Sequence, residues 1–164
     1  MPLIYNQSFE EEGRVAIWRM DEELEFFQSS MYLYDQEKAE IKDLSSRKLQ
    51  EWYASRYLLH LISGDEDRGA CVKDIHGKPF IEGSPHHISL SHSGDWIAVA
   101  ASLPPIGVDV QHLVSKITRI AHKFASSEEL EYLEEGDYIL GLHMIWGAKE
   151  SMYKAYGKRN LDFK

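Results

Sequence analysis

Apolar residues recur every fourth position at Leu49, Tyr53, Tyr57 and Leu61, and this spacing predicts a helix over residues 45–62. Ser45 or Ser46 supplies its N-cap, and Gly64 lies where such a helix stops. The longest helical pattern covers residues 138–156. Ahead of it, SSEELEYLEE sets Ser126 and Glu129 at capping-box spacing. DEELEFFQSSMYLYDQEKAEIKDL reads as helix-rich, with breaks near Ser29 and Asp35. Elsewhere the pattern is extended. The opening residues read as an acidic turn followed by a short strand over 15–20, and VKDIHGKPFI as a turn leading into an extended segment. GSPHHISLSHSGDWIAVAAS predicts a hairpin with strands over 86–91 and 96–101 and SHSGD in its turn. Pro104 and Pro105 mark another turn. IGVDV then alternates as a strand, with Ile106, Val108 and Val110 on one face and Gly107, Asp109 and Gln111 on the other. Hairpins interleaved with helices give an α+β class in place of a regular parallel sheet.

A chain of 164 residues is one modest domain or two small lobes sharing a core, and its 43% hydrophobic content excludes global disorder. Its net charge of −9 argues against a general grip on nucleic acid, yet leaves room for a local basic pocket around a phosphorylated small molecule. The single cysteine, Cys71, excludes an internal disulfide scaffold and fits a reducing compartment, so a cytoplasmic location is expected. MPLIYNQSFEEEG has no basic segment followed by a long apolar run, so no signal peptide is expected. The richest apolar stretch, IAVAASLPPIGV, is short and broken by prolines, so no membrane span is expected either.

The candidate chemistry is concentrated in three places. WGAKESMYKAYGK sets Glu150 one turn before Lys154, with Trp146, Lys149 and Tyr153 alongside. Acid before base at a spacing of four is the order that stabilises a helix, so an ordinary surface ion pair is one reading and a reactive pair facing an anion the other. IGVDVQ presents Asp109 between valines, beside Gly107, where another group can approach. That carboxylate either caps a helix or holds an arginine, or joins Glu150 in ligating a hard cation such as Mg²⁺ or Mn²⁺. SHSGD offers Ser91 and His92 for phosphate or ribose oxygens, and its spacing implies no catalytic triad. Arg47, Arg56 and Lys78 are either solvated surface cations or phosphate contacts.

Taken together, ISLSHSGDW, IGVDVQ and WGAKESMYKAYGK resemble the 4'-phosphopantetheinyl transferases, particularly their larger single-chain branch, across most of residues 45–158. The resemblance implies a fold of two similar α/β lobes with pseudo-twofold symmetry: residues 1–105 as the N-terminal lobe, and 106–164 as the start of the C-terminal one. It implies transfer of the phosphopantetheine arm of coenzyme A to a serine of an apo acyl or peptidyl carrier protein, releasing adenosine 3',5'-bisphosphate. Asp109 and Glu150 would hold Mg²⁺, with Gln111 a third contact, and Lys154 would lie near the diphosphate. Lys149 belongs to the same signature. Arg47, Lys78, Ser91 and His92 match positions that hold coenzyme A phosphates, including its 3'-phosphate. A monomer is the expected state.

Two departures bear on those expectations. Some relatives carry a carboxylate where this chain has Gln111, which brings an oxygen but no charge, so weaker magnesium retention is expected. The chain ends at NLDFK with no closing strands visible, so an incomplete second lobe is expected. A non-catalytic module binding coenzyme A or a carrier protein is the alternative from a different class. A magnesium-dependent phosphoesterase fits the ligands but lacks a distinctive water-activating arrangement.

Overall fold

The computed structural model describes residues 3–9, 13–63, 69–133 and 135–158. Its interior is organised by WIAVAAS, Trp96–Ser102, which is buried at every position after the first and so requires cover on both faces. With strands numbered β1 (Leu3–Phe9), β2 (Gly13–Arg19), β3 (Cys71–Lys73), β4 (Pro79–Ile81), β5 (His87–Ser93) and β6 (Trp96–Ser102), the sheet runs β1-β2-β6-β5-β4-β3. Every pairing in it is antiparallel. The register sorts residues by size. Ile88, Leu90 and His92 of β5 stand opposite Ala101, Val99 and Ile97, and this face meets the main core. Ser89, Ser91 and Ser93 stand opposite Ala100, Ala98 and Trp96 on the other face, where mostly small side chains let another backbone come close.

Helix α3 (Ser46–Ser63) covers the apolar face with Trp52, Leu58, Leu59 and Ile62. Of its predicted four-residue line, Tyr53 is buried and Leu49 and Tyr57 pack against the core, but Leu61 is 44% exposed. The reason is geometric: four residues overshoot a helical turn by about 40°, so the line has wound onto the solvent side after three steps. Helices α1 (Leu24–Ser29) and α2 (Asp35–Ile41) break where expected. Phe27, fully buried, joins Phe26, Tyr57 and Trp18 in a group of edge-to-face aromatic contacts. Glu37, also fully buried, accepts the Tyr34 and Cys71 amides and so ties α2 to β3.

The second half of the chain is largely helical. After a 3₁₀ turn at Ser115–Arg119 come α4 (Ala121–Phe124), α5 (Ser127–Glu131) and α6 (Tyr138–Tyr156). The expected capping box forms, with Ser126 and Glu129 each accepting the other's amide. Helix α6 has the predicted bounds and ends at Gly157 in the left-handed region, φ 69°. A smaller core joins Ile117, Ala121, Phe124 and Leu142, with Trp146 edge-on to Phe124.

Three expectations change. The opening residues form a hairpin strand, β1, not only an acidic turn; residues 10–12 lie outside the described residues. The 87–102 hairpin turns at Gly94–Asp95 alone, so Ser91 and His92 sit in the ladder and not in the turn. IGVDV is extended in sense but joins no ladder, for the reason given below. Among the described residues there is one sheet and no strand after β6. Gly64 and NLDFK lie outside the described residues.

Candidate active site

The segment carrying Asp109 is held by side chains instead of by a neighbouring strand. The amides of Val108, Val110 and His112 donate to the hydroxyls of Ser89, Ser91 and Ser93 at 3.0, 3.2 and 3.1 Å. Matching two-residue spacings on both partners let serine hydroxyls substitute for ladder carbonyls, which satisfies the amides without strand pairing. Ile106, Val108 and Val110 therefore alternate with Gly107, Asp109 and Gln111 as the sequence pattern required, and the latter set faces α6. Glycine permits the approach at two points. A Cβ on Gly107 would lie 1.7 Å from the Ser151 carbonyl oxygen. One on Gly147 would lie 3.1 Å from Gln111 Nε2 and 3.7 Å from Asp109 Oδ2.

This packing brings four of the expected residues to one place. Lys154 Nζ donates to Asp109 Oδ1 at 2.7 Å, to Ser91 Oγ at 2.9 Å and to the Val108 carbonyl at 3.0 Å. Ser91 Oγ in turn donates to Asp109 Oδ1 at 2.9 Å. Lys154 thus pairs with the acid across the interface and not with Glu150 on its own helix, which removes the ordinary surface ion pair as the account of that spacing. Among the described residues Glu150 has no hydrogen-bonding partner. Burial pushes its carboxyl up from the usual range; Lys154 opposes this and the charge of Asp109 adds to it.

The other expected residues are engaged elsewhere. Gln111 spans His143: its Oε1 lies 2.9 Å from His143 Nδ1, and its Nε2 donates to the His143 carbonyl at 3.0 Å. His143 Nε2 lies 2.9 Å from the Val114 amide and 3.2 Å from the Val114 carbonyl; as acceptor in the shorter contact it leaves Nδ1 to donate to Gln111. Lys149 reaches away from Asp109, donating to the Phe124 carbonyl and to Glu129, both at 2.7 Å. Lys149 also helps hold the Glu129 carboxyl below its usual range, ahead of the Ser126 amide. Lys78 donates to the Ala155 carbonyl at 2.8 Å, and burial lowers its pKa. Arg47 contacts Glu51, Asp95 and the Gly94 carbonyl, while His92 also approaches Glu51.

A cavity of about 330 Å³ opens beside Ser91 and His92, with Lys48, Arg56, Lys73 and Pro79 in its wall. A larger one, about 740 Å³, lies near Arg14, Leu59 and His86 and touches none of the expected site residues. Chemically, the Asp109–Glu150 corner suits a hard cation. Glu150 is half-buried and without a hydrogen-bonding partner among the described residues, and Gly147 leaves the face of Asp109 Oδ2 open. Among the described residues no three His, Cys, Asp or Glu side chains converge, so a metal here would draw its charge from these two acids.

Sequence reasoning missed His143 and Glu51. His143, Gly147, Glu150 and Lys154 follow spacings of four, three and four, one stripe of a helix, and that stripe was the available signal. Glu51 stands four residues after Arg47 in the order of an ordinary helix pair, which gives no hint of a second partner.

Residues 105–164 match the family model of the 4'-phosphopantetheinyl transferase superfamily. The chain is 28% identical over 121 residues to the 4'-phosphopantetheinyl transferase gsp of Aneurinibacillus migulanus, covering 72% of this chain and 51% of that protein. It is 36% identical over 90 residues to a 4'-phosphopantetheinyl transferase of Bacillus subtilis, covering 51% and 39%. A putative 4'-phosphopantetheinyl transferase of Haemophilus influenzae is 26% identical over 136 residues, covering 72% and 57%. The chain therefore spans about half the length of the curated relatives it matches.

Proposed function

We propose that the chain is a 4'-phosphopantetheinyl transferase, a reading supported by the family match over residues 105–164 and by the curated relatives, and that it transfers the phosphopantetheine arm of coenzyme A to a serine of an apo acyl or peptidyl carrier protein. The observation that carries the reading is the meeting of Ser91, Asp109 and Lys154, drawn from a strand, an extended segment and a helix, beside an unpartnered Glu150. In this reading residues 1–105 and 106–164 belong to two lobes. The larger core draws on residues 16–101 and the smaller on 117–142.

Asp109 and Glu150 are the residues that would hold Mg²⁺ or Mn²⁺. Once bound, the ion supplies neutralising charge and Lewis acidity toward a diphosphate. The chain's own groups divide the remaining work. Glu150 takes the proton of the attacking carrier serine. The serine oxygen forms a bond to the phosphorus bearing the pantetheine. The bond from that phosphorus to the bridging oxygen breaks, and adenosine 3',5'-bisphosphate leaves. Lys154 stabilises the charge that develops on the departing phosphate. All three of its N–H groups are engaged at 2.7–3.0 Å, so contact with the diphosphate requires one partner to be exchanged for a phosphate oxygen. Ser91 and His92 border the cavity where the coenzyme would lie.

That saturated ammonium, together with the engagement of Gln111 by His143, favours a second reading: a module that binds coenzyme A or a carrier without transfer. One experiment separates them. The chain is incubated with coenzyme A, Mg²⁺ and a panel of apo carrier proteins, and the carriers are weighed by mass spectrometry. A gain of one phosphopantetheine, lost with Glu150→Gln, is expected. Coenzyme A binding without any gain would establish the binding module instead. Among the described residues no helix is long and apolar enough to cross a membrane.

A further inference from the structure

Two of the side chains assigned to coenzyme phosphates already share an anion. Arg47 lies on α3 and His92 on β5, and between them stands Glu51, one turn along α3 from Arg47. Its Oε1 accepts from Arg47 Nε at 3.1 Å, and its Oε2 lies 3.4 Å from His92 Nδ1. The Glu51 side chain is only 15% exposed and lines the same cavity as Ser91 and His92. Two further cations of that wall are already engaged. Arg56 and Lys73 both pair with Glu40, at 3.3 and 2.5 Å, and Arg56 also stacks on Trp52.

We propose that Glu51 is a built-in competitor for the terminal phosphate of the coenzyme and sets how strongly the site distinguishes ligands with and without a 3'-phosphate. The inference rests on the coenzyme reading above. A carboxylate and a phosphate accept from a guanidinium and an imidazole in the same directions, so Glu51 holds bonds the phosphate would need. Its charge also repels any dianion brought alongside, and a fixed like charge in a partly desolvated wall is the standard means of rejecting or weakening a ligand. A ligand that lacks the 3'-phosphate meets neither obstacle. The native site therefore gains little from the 3'-phosphate, and neutralising Glu51 turns that group into a strong anchor.

The test is equilibrium binding, by calorimetry at low ionic strength, of coenzyme A and 3'-dephospho-coenzyme A to the chain and to its Glu51→Gln variant. No carrier or turnover is needed. The native chain is expected to bind the two ligands within about threefold of each other, and the variant to gain about tenfold for coenzyme A but under about twofold for the dephospho form. Asp95→Asn removes the other acid on Arg47 without touching His92, and its gain should stay below about threefold. Thermal melts of both variants establish that they fold. Weaker coenzyme A binding in Glu51→Gln would make Glu51 a support for Arg47 and His92 and overturn the proposal. Equal gains for both ligands, or equal gains from both variants, would reduce the effect to net charge and also overturn it. Failure of the native chain and both variants to bind either ligand would refute the coenzyme site itself, a result distinct from lost discrimination.

Discussion

Gly107→Ala tests the packing on which the candidate site depends. The backbone of Gly107 is not in the left-handed region, so alanine meets no torsional objection there. The added methyl would lie 1.7 Å from the Ser151 oxygen and 2.9 Å from the Ala155 nitrogen, inside the space of one i to i+4 hydrogen bond of α6. Against the 3.0 Å floor for such contacts the shortfall is 3.0 − 1.7 = 1.3 Å, and both neighbours are backbone. One response opens the helical bond, at about 1–3 kcal/mol for groups left unpaired. The other lifts residues 106–112 from β5. That forfeits three amide-to-serine bonds, about 0.5–1.5 kcal/mol each, and carries Asp109 away from Lys154. The smaller entropy of an unfolded alanine returns only about 0.4–1 kcal/mol. The cheaper response sets the outcome, so the expected net loss is about 1–2 kcal/mol, read by urea denaturation with the slope unchanged. Gly136→Ala is the control, because a Cβ there meets nothing within 4 Å. A Gly107→Ala loss below about 0.5 kcal/mol, or one equal to the control, would refute the argument.

Further predictions concern the groups around this contact. The Glu150 carboxyl is raised in the folded chain, so the folded state binds the extra proton; stability should fall as pH rises from the usual glutamate value of 4.5 through the raised one. Glu150→Gln should therefore melt higher than the native chain near neutral pH and equally at pH 4, and a variant-minus-native difference that fails to grow over that window would contradict it. Mg²⁺ at about a hundred times its dissociation constant should stabilise the native chain by about 2.7 kcal/mol and Glu150→Gln far less; equal shifts would exclude Glu150 from the ion. Gln111→Ala and His143→Ala should each destabilise, with a double-mutant coupling of about 0.5–1.5 kcal/mol because the single bond between their side chains is lost in both; additive effects would show that the pair is incidental. Lys149→Met and Glu129→Gln should likewise couple, since each removes the same 2.7 Å contact, and a denaturation cycle gives the answer.

What was legible in the chain follows from the range of the forces involved. Helix α6 and the Ser126 cap could be read to the residue because their determinants lie within a few positions of one another: a 3.6-residue stripe, a glycine stop, a reciprocal serine–glutamate pair. The hairpin was legible for the same reason, but its turn was not. SHSGD holds three polar residues that look like loop, and only the docking of residues 108–112 explains why Ser91 and Ser93 are worth keeping in a strand. IGVDV showed the right alternation, yet it joins no ladder. Alternation reports which side chains share a face, and it is silent on whether the amides meet carbonyls or hydroxyls. Lys149 was assigned through its neighbours in a signature, whereas its ammonium is directed by Phe124 and Glu129, some 20–25 residues away in sequence.

The Glu150–Lys154 spacing gains its meaning from that same nonlocal packing. On an isolated helix the two charges would pair, because nothing else lies within reach. Here α6 is pressed onto a segment that offers Lys154 three acceptors at once: a carboxylate, a hydroxyl and a backbone carbonyl. Three bonds in a partly buried setting outweigh one flexible pair across a helix turn, so the lysine crosses the interface and leaves Glu150 unpartnered. An unpartnered, half-buried carboxylate beside a second acid is unfavourable for the chain alone and becomes favourable once a cation arrives. The packing that deprives Glu150 of its helical partner is thus what makes the corner fit for an ion. Gly107 and Gly147, by letting the two backbones approach, are as much a part of that fitness as the acids themselves.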